Sequence, residues 1–186
     1  NIDDRTTINV NHTVTVDLNG HKLYYIELKV NNDNGAGNLT LTGSEDSYIS
    51  QVDVCGGRTF KIDSDANINF ETIFVEAGAQ LTVSEGAKVT TEQLTVIASV
   101  NDDGTTTTSV KLATGMKLGG LSYHSQNNSG ALKLGDLLDV TRQALRREDN
   151  GNYLDLYKEY GSMGYSVALT VVEHTDADHK YGSGTG

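Results

Sequence analysis

Residues 52–72 read VDVCGGRTFKIDSDANINFET, and residues 73–93 read IFVEAGAQLTVSEGAKVTTEQ, with LTV at 94–96. Laid one under the other at an interval of 21, these lines align three series of apolar pairs. Val52/Val54, Ile73/Val75 and Leu94/Val96 form the first. Phe60/Ile62 and Leu81/Val83 form the second, and Ile68/Phe70 with Val89/Thr91 the third. Within each pair one residue intervenes, which is the period of a strand with one buried face. A repeat of this length marks a stacked architecture. Successive strands begin 8, 8 and 5 residues apart, too close for a crossover helix. The pattern therefore predicts an all-β, single-stranded parallel β-helix, a solenoid with three short strands per coil.

The repeat extends in both directions. Leu39/Leu41 and Ile49 lie one period before Phe60/Ile62 and Phe70. Val16/Leu18, Leu23/Tyr25 and Leu28/Val30 read as an earlier coil, displaced by the long loop Asn31–Asn38. After the polar run Asn101–Thr108 the pattern returns at Val110/Leu112, Met116/Leu118 and Leu121/Tyr123. About five coils result, a stack of roughly 20–25 Å at the usual strand spacing. Gly57 and Gly78 stand one period apart, where a corner turns, and Gly56 aligns with the small Ala77. Coils are thus expected over 1–130, wound right-handed by the general rule for parallel connections. A cap is expected over 131–174, because an open solenoid end exposes strand edges. Leu134, Leu137, Leu138, Thr141, Ala144 and Leu145 fall at helical spacing, with Asp136 as N-cap and Arg146/Arg147 in the last turn. They predict a helix over about 135–147, then strands over about 152–157 and 165–172. Residues 175–186 read as a linker or tail, and the opening NIDDRTTINV as the start of a domain excised from a longer chain with neighbouring domains.

Fourteen Lys and Arg against 25 Asp and Glu give a formal charge of −11, with 20 glycines and no proline or tryptophan. That balance argues against nucleic acid or anionic membrane as partners. No run of about 18 apolar residues is present, so no membrane span is expected. The single cysteine, Cys55, excludes an intrachain disulfide and reads as structural, since its neighbours one and two periods on are Glu76 and Ile97.

Three stretches carry a family likeness. VTVDLNGHKL (14–23) is similar to the opening coil of pectate-lyase-like β-helices, and VEAGAQLTVSEGAKVT (75–90) to the coils of adhesin-type surface domains. DLLDVTRQALRREDNGNYLDLY followed by VALTVVEHT resembles the C-terminal module of repetitive surface proteins of Gram-positive bacteria. Where that module usually has an aromatic run, this chain has Gln143-Ala144-Leu145-Arg146. The resemblance implies a secreted or wall-attached, adhesin-like β-helix. Its motifs are coil and cap signatures and identify no catalytic residue.

A carbohydrate-active enzyme, lyase or glycoside hydrolase, is the alternative. Such chemistry needs clustered carboxylates, with a base or Ca²⁺ for a lyase. The outward columns read Asp53–Phe74–Thr95, Thr40–Lys61–Thr82 and Asn69–Thr90, with Glu71 and Glu92 at the end of the last. None gathers two acids and a base, and no catalytic residue is assigned. Asp63-Ser-Asp65-Ala-Asn67-Ile-Asn69 imitates the start of an EF-hand loop, but Ile68 stands where glycine is required and Phe74 where the closing Glu is. His174, Asp176, Asp178 and His179 sit in the tail without a supporting shell. No metal or cofactor is expected. Binding is the more economical expectation, to a host or environmental glycan or to a host or bacterial surface protein, with a rigid structural stalk as a further reading and room for self-association. The candidate residues are Asp53, Lys61 and Phe74 on the columns, Asn101, Asp102 and Asp103 in a protruding loop, and Tyr24, Tyr48 and Tyr123 as sugar-stacking platforms. For the tyrosines, packing at coil corners is the plainer expectation.

Overall fold

A computed structural model of the chain describes residues 6–19, 21, 23–24, 26–31, 37–99, 101 and 105–126, and the backbone of 143–147 and 154–158. It is a parallel β-solenoid, as the repeat predicts. One sheet contains β1 (Thr6–Val10), β3 (Ile26–Val30), β5 (Ser47–Val54), β7 (Asn67–Val75) and β9 (Lys88–Ala98), stacked in that order. It continues through β11 (Lys117–Leu118) and β12 (Leu121–Ser125), which lie side by side on β9. The second sheet stacks β2 (Thr13–Asp17), β4 (Asn38–Thr42), β6 (Thr59–Ile62), β8 (Gln80–Val83) and β10 (Ser109–Lys111). Five strands in this sheet separate its first and last rungs by four turns.

The register follows the period. Val52 pairs with Ile73 and Ile73 with Leu94, while Phe60 pairs with Leu81 and Ile68 with Val89. All of these side chains are buried between the two sheets. Phe60 and Phe70 meet edge to face across the core, ring centroids 6.2 Å apart. The third and first series are not separated by a turn. They run on as one strand, bent where the alternation slips: Glu71 and Thr72 both face outward, as do Glu92 and Gln93, and in β5 Ile49 and Ser50 both face inward. A slip of one residue re-aims all that follows, so the strand turns a corner without a loop. In the last turn the same bend is made by Gly119-Gly120, and a Cβ on Gly119 would lie 2.6 Å from the Glu92 carbonyl oxygen.

The other two corners are tight turns. Arg58 N–H donates to Cys55 O and Ala79 N–H to Glu76 O, with Gly57 and Gly78 at φ of 76° and 79°. Cys55 is buried at the first of these. Ala66 N–H donates to Asp63 O and Ala87 N–H to Ser84 O at the opposite corner.

Two expectations need correction. The upstream pair over Leu39/Leu41 is Val14/Val16, not Val16/Leu18. Three alternating apolar residues fit either register equally, and Leu18 falls at the following corner, where its N–H donates to Thr42 O. The helix expected to end at Arg147 is not helical there: Gln143–Arg147 is a strand, β13, paired antiparallel with β14 (Leu154–Lys158). Strand β14 pairs antiparallel with β11, so this ribbon extends the sheet and covers an edge that a helix would leave open. Residues 135–142, the strand expected over 165–172 and the tail lie outside the described residues.

Candidate functional site

The outward side of the first-series arm of the larger sheet carries two rows that cross the rungs. One runs Asn9, Lys29, Asp53, Phe74, Thr95, Ser122, each in register with the next. The other runs Thr7, Glu27, Gln51, Thr72, Gln93. Alternation forces both outward, since the intervening Val52, Ile73 and Leu94 fill the core. Rungs stand roughly 4.8 Å apart, so the longer row spans roughly 24 Å.

The two ends of this face differ. Charges sit together at Glu27, Lys29 and Asp53, where Thr7 Oγ1 donates to Glu27 Oε2 at 2.9 Å and Gln51 Nε2 to Asp53 Oδ1 at 2.8 Å. Toward the later rungs the face is neutral: Thr72, Phe74, Gln93, Thr95 and Ser122. Gln93 Nε2 reaches Ser122 Oγ at 3.0 Å and Thr95 Oγ1 at 3.4 Å, which ties its amide to both neighbours. Phe74 is half-buried on the outward side of β7. A half-buried aromatic ring bordered by hydrogen-bonded amide, hydroxyl and carboxylate groups offers apolar contact together with donors and acceptors.

Of the residues singled out from the sequence, this face unites Asp53 and Phe74 and excludes the others. Lys61 projects from the opposite sheet, where its ammonium pairs with Asp63 at 3.2 Å. Tyr48 lies on β5 beyond the bend, in register with Asn69. Tyr24 is 41% exposed just ahead of β3. Tyr123 lies mid-strand in β12, in register with the inward Val96, and packs against the core. Asn101 ties its own loop, its N–H donating to Thr105 O at 2.8 Å and its Nδ2 to Thr105 Oγ1 at 2.9 Å. Asp102 and Asp103 lie outside the described residues. Glu71 and Glu92 occupy the bend on consecutive rungs, half-buried and exposed respectively.

The EF-hand imitation has a structural use. Asp65 Oδ1 accepts from Thr42 Oγ1 at 2.7 Å and from Gly43 N–H at 3.2 Å, one rung below. These two bonds, the hydroxyl first, hold the Asp65 carboxyl below the usual carboxylate range. Glu85 repeats the device one turn on, accepting from Thr114 N–H at 3.2 Å and Thr114 Oγ1 at 3.3 Å.

Gln51, Thr72 and Gln93 were not among the sequence candidates. Their signal was present: each precedes an inward apolar residue, with the outward Glu71 and Glu92 before Thr72 and Gln93 and the inward Ser50 before Gln51, but only the observed slip at the bend assigns them to this face. Compared with protein-family models, curated proteins and solved structures, the chain finds no match.

Proposed function

We propose that this chain is a domain of a secreted or cell-surface, adhesin-like bacterial protein, and that it binds a glycan or a surface protein through the face around Phe74. The observation that supports the reading is the row Asp53–Phe74–Thr95 beside Gln51–Thr72–Gln93, a half-buried aromatic ring with hydrogen-bonded polar neighbours on one sheet face. Placement at the bacterial surface rests on the likeness of 14–23, 75–90 and the C-terminal module to pectate-lyase-like and Gram-positive surface β-helices.

Screening the protein on a glycan array, followed by titration of the best ligand, tests this. Phe74→Ala should weaken binding by about tenfold or more, the loss of one aromatic contact, with the β-sheet circular dichroism unchanged. Binding unaffected by Phe74→Ala and by Gln93→Ala would remove this face from consideration. Release of reducing or unsaturated sugars, abolished by Glu71→Gln and Glu92→Gln, would instead make the protein a carbohydrate-active enzyme.

A further inference from the structure

The two ends of the stack are unlike. At the later end the β13–β14 ribbon pairs onto β11 and β10 is an edge, whereas at the first turn both β1 and β2 are edge strands among the described residues. The mouth between them is an apolar concavity of about 360 Å³, lined by Ile8, Val14, Val16, Leu28, Leu39 and Leu41 among others. Ile8, Val14 and Val16 are 37%, 39% and 36% exposed, although Ile8 is in register with the buried Leu28 and the two valines with the buried Leu39 and Leu41. These are core positions with no further rung on them among the described residues. The edges carry no proline and no lysine, the usual devices against pairing.

Charge narrows the occupant. The chain has a formal charge of −11, yet between Thr6 and Asp17 the only formal charge at pH 7 is that of Asp17. The strands are also self-complementary. Antiparallel pairing of β1 with itself about Ile8 sets Ile8 against Ile8, Thr7 against Asn9, and Thr6 against Val10. The same operation on β2 about Thr15 sets Val14 against Val16 and Asp17 against Thr13, so no like charges meet. We propose that a second copy of this chain occupies the mouth, joining the two stacks end to end through antiparallel β1–β1 pairing. Each edge strand is only five residues long, so the joint is narrow and the association weak and concentration-dependent. It does not depend on the ligand face.

Sedimentation equilibrium of the 186-residue chain should show the weight-average mass rising toward twofold between about 10 μM and about 1 mM. Val14→Lys, whose side chain reaches solvent in the single copy, should hold the mass at that of one chain with the melting curve of the dilute protein retained. Because directly opposed residues stand within disulfide reach, Ile8→Cys should yield a covalent dimer under mild oxidation while Thr72→Cys, on the flank, should not. One mass at every concentration, or equal cross-linking from both positions, would overturn the proposal and leave the mouth to a chain of another kind.

Discussion

Thr108 belongs to a run of four threonines, yet its hydroxyl does something its neighbours do not. Oγ1 donates to Ile97 O at 2.8 Å and accepts from Gly78 N–H at 2.9 Å and Ser99 N–H at 3.2 Å, tying the inserted loop to the corner of the preceding turn. Thr108→Val keeps the shape and strands three backbone groups, so denaturant unfolding should register a loss of about 1–3 kcal/mol. Glycines separate by a different cause. Gly57→Ala meets no neighbour and suffers only its positive φ, about 1 kcal/mol, whereas Gly119→Ala drives a Cβ into the Glu92 carbonyl oxygen and should cost more. Asp65 sets an acid dependence. Its carboxyl titrates lower folded than unfolded, so its contribution is complete above the unfolded value and fades as pH falls through the folded one. Asp65→Asn should therefore flatten the stability-against-pH curve on the acid side, read from melting midpoints. The sequence made Asp65 visible for the wrong chemistry: D-x-D-x-N spacing suggests calcium, and only the stacking of Thr42 and Gly43 beneath it reveals a turn clamp.

Elements were legible in proportion to their periodicity. The apolar pairs read in β5 through β9 all face inward, because a period of two combined with a period of 21 leaves one register, while the inward Ser47, Ser50 and Ala98 lay outside the pairs. Ile73, fully buried with a counterpart above and below, illustrates the cost of breaking it: Ile73→Ala should lose about 2–5 kcal/mol in chemical denaturation. Legibility failed where one period was missing. In β2 the alternation Val14, Val16, Leu18 is consistent with two registers two residues apart, and backbone hydrogen bonds, invisible in sequence, choose between them. Over Gln143–Arg147 the helical spacing of Ala144 and Leu145 with the leucines before them, and Arg146/Arg147 as a last turn, gave a helical reading, and antiparallel pairing with β14 overrode it. The bends at Glu71 and Glu92 were read as breaks between strands, since a one-residue slip and a short turn leave the same trace in hydropathy.

For the whole molecule, stacking makes stability local. Each turn touches only the turns beside it, so amide exchange should be slowest in β5, β7 and β9, which are paired on both sides, and fastest in the edge strands β1 and β2. The architecture was legible because packing imposes a period on inward residues, but nothing imposes one on outward residues. That is why Gln51, Thr72 and Gln93 emerged only with the fold. The direction of the inter-rung hydrogen bonds has a mechanical consequence. They lie along the stacking axis, so tension between the two ends pulls directly on them and loads one rung at a time instead of shearing a whole sheet. An optical trap gripping both ends should record a low, regular sawtooth. Each 21-residue turn would release roughly 70 Å of chain as it peels away, and tension would be relieved in steps before it reached whatever lies beyond.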